Sequence, residues 1–145
     1  MQLATPIDIE GQLQRDLTTV YTEAEIEGIR FVAPPIPPEL GEVPQQSVIA
    51  AITRVGGERT DMVIDLHAIS IDVYAPTWSE ATSEANRLAA IIEALPYQND
   101  TEIRYEQTEI TTLPYALPDP SNPVNPRMRM LATIIVKAAI GGLGN

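Results

Sequence analysis

Residues 62–75 read MVIDLHAISIDVYA, and how this stretch folds decides the architecture. In its second half Ile69, Ile71 and Val73 alternate with Ser70, Asp72 and Tyr74. Period-two alternation of β-branched residues predicts a strand that packs with one face and meets solvent or a partner with the other. Just upstream, SVIAAITRV at Ser47–Val55 reads as a second strand, and Gly56-Gly57 between the two predicts a hairpin turn. The fold is therefore built around a long antiparallel ribbon.

The flanking segments supply the layers. Thr5-Pro6-Ile7-Asp8 has the form of a helix start, with Thr as cap and Pro at the first helical position. Ile9, Leu13, Leu17 and Val20 then recur at helical spacing, so a helix should run to about Tyr21. EAEIEGIRFVA at 23–33 predicts a short strand around Ile29 to Val32. Thr77-Trp78-Ser79-Glu80 is a capping box opening a helix to about Leu95, with Trp78, Ala81, Ala85, Leu88, Ile92 and Leu95 on one stripe and Pro96 ending it. Thr101 to Thr112 reads as a strand with one polar face, and Arg127 to Ala139 as the last strand. Two helices on one face of a mainly antiparallel sheet of four or five strands define an α+β sandwich. One domain accounts for the 145 residues, with a mobile tail over about 140–145.

Two connections are rich in proline: APPIPPELGEVP, with Pro34, Pro35, Pro37, Pro38 and Pro44, and YALPDPSNPVNP at 115–126. Proline fixes φ and lacks an N–H, so these segments predict extended, polyproline-like loops or arms rather than helices or central strands.

Nine basic residues against twenty acidic ones give a net charge of −11, which argues against phosphate-backbone binding and for solubility or a DNA-repelling surface. Eight of the nine basic residues are arginine, Lys137 being the other. Arginine favours interfaces, where its planar fork meets carboxylates. Without cysteine there is no disulfide, thiolate metal site or cysteine nucleophile. The N-terminal residues carry no signal-peptide pattern and no apolar run spans a bilayer, so a soluble, intracellular chain is expected.

No constellation for bond chemistry stands out. His67 is the one histidine, and with Asp65 it supplies too few ligands for a metal. No serine sits in a G-x-S-x-G turn, and Gly56-Gly57-Glu58-Arg59 lacks the phosphate-loop pattern. The expectation is no enzyme, no metal and no cofactor.

The order of these motifs resembles the tail terminator proteins of long-tailed, siphovirus-type bacteriophages. The resemblance rests on Arg54-Val55-Gly56-Gly57 with Asp61 shortly after, and on Ile69-Ser70-Ile71-Asp72-Val73-Tyr74-Ala75. It extends to the helix SEATSEANRLAAIIEAL, with Glu84-Ala85 and Leu88-Ala89 at its centre. Leu117-Pro118-Asp119-Pro120, followed by Pro126-Arg127 and a final strand, is similar to terminators of phages of actinobacteria. The likeness covers about residues 8–140.

It implies a small α+β subunit that closes into a homo-oligomeric ring, six-fold in the family. Such a ring caps the head-proximal end of the tail tube, stops its polymerisation and docks the head connector or stopper. DNA passes through without specific binding, no membrane is involved, and the place of action is the tail–neck junction of the virion. A head–tail connector or stopper of the neck is the alternative, and a small cytosolic α+β ligand-binding domain or enzyme a remoter one.

Ring closure needs heterologous contacts, one patch meeting a different patch on the next copy. Candidate interface residues are Arg54, Gly56, Gly57, Glu58, Arg59, Asp65, His67, Asp72, Tyr115, Asp119, Pro120, Arg127 and Arg129. Asp65, His67 and Asp72 on the long strand are expected to supply one side together. The proline loop would be an arm laid on a neighbour, stiff before binding and so losing little entropy. Glu23, Glu25 and Glu27 (expected on a strand edge), or Glu102, Glu106 and Glu109, would line a lumen and keep DNA moving.

Overall fold

The computed structural model of the protein describes residues 1–33 and 47–142. Its centre is the predicted ribbon. Strand β3 (Val48–Asp61) and strand β4 (Ile64–Tyr74) pair antiparallel along almost their whole length. Strand β6 (Arg127–Lys137) lies antiparallel on the other side of β4, from Ile64↔Lys137 to Tyr74↔Arg127, and β5 (Gln107–Ala116) pairs antiparallel with β6. Strand β2 (Ile29–Val32) joins the free side of β3 in parallel, giving the order β2-β3-β4-β6-β5.

Helices α1 (Ile9–Glu23) and α2 (Trp78–Ala94) cover one face of this sheet, so the architecture is α+β. The alternation in β4 sets which face they cover. Ile69, Ile71 and Val73 are buried with Ile52 and Ala50 of β3 and Met128, Met130, Ala132 and Ile134 of β6. Leu13 and Leu17 of α1 and Ala81, Ala85, Leu88 and Ile92 of α2 close the same cluster. The small side chains of Ala81 and Ala85 let α2 lie close on the sheet. Trp78, placed on this stripe by its spacing, is instead 44% exposed, because it occupies the first helical turn at the margin of the sheet. Among the described residues no helix is long and apolar enough to cross a membrane.

The capping reading of α2 holds: the Thr77 hydroxyl accepts from the Glu80 amide at 3.2 Å. Thr77→Ala should lower the unfolding free energy by about 1 kcal/mol with the m-value unchanged, measured by urea titration, and Thr77→Ser should restore most of the loss.

Several expectations are corrected. Helix α1 is capped by Asp8, whose carboxylate accepts from the Gly11 amide at 3.2 Å. Thr5 lies instead in strand β1 (Gln2–Thr5), which pairs antiparallel with β7 (Ala139–Gly142) as a second, two-stranded sheet. An extended partner at the far end of the chain outcompetes the local cap signal. The expected tail therefore forms a strand through Gly142, while residues 143–145 lie outside the described residues.

Gly56-Gly57 is not the hairpin turn. β3 continues through both glycines with a bulge between Arg54 and Gly56, and the chain turns at Met62-Val63, where the Asp61 carboxylate accepts from the Met62 amide at 2.7 Å. The ribbon thus projects past the core, and β3 becomes largely exposed beyond Thr53.

Glu23 ends α1 rather than lying on a strand, and Glu25 sits in the left-handed region at φ 58° in the turn that follows. The strand expected over Thr101–Thr112 begins only at Gln107 and runs on to Ala116, because residues 101–105 are drawn onto α1. The last strand ends at Lys137, two residues short of the expected Ala139.

Of the two proline-rich connections, the first lies outside the described residues. The second is not an extended, polyproline-like arm: Tyr115 and Ala116 end strand β5, the chain then turns at Pro120-Ser121 and Pro123-Val124, with the Asn122 amide donating to the Asp119 carbonyl at 3.0 Å, and the loop is tied to its own sheet. Leu117 and Arg127 exchange bonds, amide to carbonyl at 2.9 Å and Nε to the Leu117 carbonyl at 2.7 Å, and Ala75 donates to the Pro126 carbonyl. Its crest still faces water, with Pro120 and Val124 exposed.

Candidate functional site

The charged residues singled out in the sequence gather in two places. Cross-strand partners share a face of the sheet. Arg54 opposes Ile69, Gly57 opposes His67 and Arg59 opposes Asp65, so these side chains stand on the face that carries the helices. The packing face of the ribbon thus turns polar as it leaves the core.

There Arg59 grips Asp65 with both arms of its fork, at 2.6 and 3.0 Å, and reaches the Ala4 carbonyl of β1 at 3.1 Å. The ion pair holds the Asp65 carboxyl below its usual range. Arg54 donates from Nε to His67 Nδ1 at 2.9 Å, and its backbone amide donates to the Glu10 carboxylate at 2.7 Å. Glu10 lies in the first turn of α1, so the helix and the ribbon are joined here.

Gly57 makes this arrangement possible. A Cβ there would lie 2.4 Å from the Leu66 carbonyl oxygen and 2.8 Å from Arg54 Nη2. Without a side chain opposite His67, the Arg54 guanidinium can fold across its own strand and reach the imidazole. The glycine pair serves a bulge and an arginine seat rather than a turn.

The second group lies on the far face, at the other end of β4. Arg129 pairs with Asp72 through two bonds of 2.7 and 2.9 Å. Arg127 stands 3.7 Å from both Asp72 and Asp119 and 6.0 Å from the centre of the Tyr74 ring. Tyr74 donates to Asp119 at 2.9 Å, and burial followed by this bond raises its phenol pKa. The Tyr74 bond fastens the proline loop to the sheet, and within the loop Asp119 also accepts from the side chain and amide of Ser121, which keeps its carboxyl low. Tyr115 opposes Arg129 from β5.

Asp65, His67 and Asp72 therefore do not form one side of a contact. Odd-numbered Asp65 and His67 face the helices while even-numbered Asp72 faces away, as period two requires. Along β4, at about 3.3 Å per residue, Asp72 lies roughly 16 Å from His67 and roughly 23 Å from Asp65.

The acidic residues are also divided. Glu23, Glu25 and Glu27 are exposed beside β2, whereas Glu106 and Glu109 lie at and before β5 on the opposite edge. Glu102 is held by Arg15 at 2.9 Å and by Gln12 at 3.0 Å.

This last contact belongs to a knot that the sequence did not disclose. Asp16 of α1 is fully buried and accepts from Tyr105 Oη at 2.7 Å, the Glu102 amide at 2.7 Å and Gln12 Nε2 at 3.0 Å. Its signal was faint: Gln12 and Asp16 fall on the helical stripe of Ile9 and Leu13. Glu10 and Tyr74 were missed as well, since their partners are distant in sequence.

No group of three or more His, Asp or Glu able to hold a metal ion occurs among the described residues. No protein-family model matches the chain, and a comparison with curated proteins finds no match.

Proposed function

We propose that the chain is a structural subunit of a phage tail that closes into a ring, caps the head-proximal end of the tail tube and joins it to the head connector. Its work in this reading is adhesion and occlusion rather than catalysis. The observation that carries it is the pair of separate ionic patches, Arg54/Arg59/Asp65/His67 on the projecting ribbon and Asp72/Asp119/Arg127/Arg129 at the far end and opposite face of β4. A rotationally closed assembly needs two unlike surfaces on every copy. Charged groups at such surfaces set register and partner choice more than raw affinity.

The projecting ribbon supplies a surface able to engage a neighbour, with Val55 and Met62 among its exposed apolar side chains. The net charge of −11 suits a channel through which DNA must slide without sticking. The fastened proline loop would act as a preformed ridge, which retains the low ordering cost expected of a stiff arm.

Light scattering on the purified chain, alone and with tube protein, tests the reading. A species of about six times the 15.8 kDa chain mass is expected, with Arg59→Glu reducing it to the subunit. A strict monomer under both conditions would overturn the proposal.

A further inference from the structure

The bond from Arg54 to His67 fixes the protonation of the ring. Guanidinium groups only donate, so the 2.9 Å bond from Arg54 Nε takes the lone pair of His67 Nδ1. The neutral imidazole then carries its one proton on Nε2, which is buried without a partner. No other lone pair remains, so a second proton can enter the ring only at Nδ1, in the place of Arg54. Proton and guanidinium exclude each other.

While the ribbon is closed, the surroundings oppose this exchange. His67 is 1% exposed. Strand β3 brings Arg54 and Arg59 to it, β4 brings Asp65, and α1 brings Glu10 through the Arg54 amide. Strand β6 brings Ile134 opposite, with Ala132 and Val136 on the same face, none of them charged. Glu58 opposes Leu66 and stands on the other face of the ribbon. Two guanidinium groups thus already balance two carboxylates, and Arg59 engages both oxygens of Asp65. An imidazolium would add an unbalanced charge with no acceptor for either N–H. Burial, then the Arg54 charge, hold the His67 pKa below its ordinary value, against a smaller pull from Asp65.

Relief comes from the ribbon rather than the core. Arg54 is the first exposed residue of β3, and the strand stays largely exposed beyond it. A cavity of about 310 Å³ bordered by Pro6, Arg54 and Arg59 leaves room for a displaced guanidinium. Ile69, Ile71 and Val73, further along β4, are held in the main cluster.

We propose that His67 and Arg54 form an acid-released latch, in which a proton on Nδ1 displaces the guanidinium and segment 54–66 opens locally while the sheet core stays closed. The latch belongs to the single subunit and does not rest on the ring reading.

In the open ribbon the imidazole is hydrated and titrates near its ordinary value of about 6.5, above its value in the closed ribbon. The latch is therefore fully set above about pH 6.5 and weakens as pH falls. The opening constant rises by up to about tenfold per pH unit until the closed form itself takes the proton. Carboxylates titrate lower, at about 4, and His67 is the one histidine, so the window from about pH 6.5 to 5 belongs to it.

Amide hydrogen exchange of the full chain across this window, corrected for the intrinsic exchange rate at each pH, tests the latch. Hydrogen-bonded amides within 55–66 should lose protection by about tenfold, while those of 69–73 stay unchanged. In His67→Gln the ribbon amides should be insensitive to pH over the same range. A long-range ¹H–¹⁵N spectrum of the single imidazole should show Nε2 protonated and Nδ1 bare at pH 7. In Arg54→Ala, a change at an exposed position, the imidazole should bind its second proton about tenfold more tightly. Constant ribbon protection, an equal loss in the core, or an unchanged imidazole titration in Arg54→Ala overturns the inference. Should His67→Gln fail to fold, the Arg54→Ala titration still decides.

Discussion

Replacing Asp16 by alanine should lower the unfolding free energy by about 3–5 kcal/mol, a large fraction of the 5–15 kcal/mol available to an ordinary domain. The size follows from what the carboxylate serves. Its two oxygens take Tyr105 Oη, the Glu102 amide and Gln12 Nε2, all from a position with no exposed surface. Alanine would leave these donors without their acceptor and open a gap between α1 and the chain leading into β5. Tyr105→Phe removes a single donor and should cost less, about 1 kcal/mol, with Asp16 still held by its other partners. Urea unfolding of the two variants and their double mutant checks this. In the double mutant the tyrosine change should cost almost nothing further, since the bond is already gone. An Asp16→Ala variant within 1 kcal/mol of the parent, on the scale of a single ordinary hydrogen bond, would remove Asp16 from its central place.

The second large effect is expected at Gly57, where alanine should cost about 1–3 kcal/mol. The added methyl would fall 2.4 Å from a backbone oxygen of the facing strand, and Gly57 sits at φ +156°, where side chains are rarely accommodated. Opening the ribbon to relieve the clash would also displace Arg54, whose Nη2 stands 2.8 Å from the same point. The imidazole spectrum of His67 reports this directly: the variant should lose the Nδ1 signature of a bond from Arg54. Gly56 provides the contrast, because a Cβ there meets only the Ala68 methyl at 3.9 Å, so Gly56→Ala should be nearly neutral for the imidazole. Equal effects at the two glycines would contradict the assignment of separate roles.

What was legible in the sequence is what short-range physics controls. Period-two alternation in 69–74, three-four spacing in 81–92 and the Thr77 cap depend on neighbours within a few residues, and each element formed as expected. The same alternation carried the correct pairing of Asp65 with His67 on one face, yet extending it to Asp72 required counting parity across seven residues. Errors arose wherever a distant partner decided. Thr5 has the chemistry of a cap but pairs with Ala139, and residues 101–105 alternate like a strand but bond to Asp16. Gly56-Gly57 has turn composition, and only the register of the facing strand reveals that it is needed for clearance. For the site, the residue types could be listed, but their division between two faces could not.

Strand β5 is the outermost member of the main sheet, and its pairing with β6 slips twice, between Ile110 and Thr112 and again between Thr112 and Tyr115. Pro114 falls within the second slip and offers no N–H outward. At the opposite rim β2 is only four residues long. Neither rim is a good template for recruiting foreign backbone, so even a crowded solution of the chain has little route through these rims into cross-β aggregates.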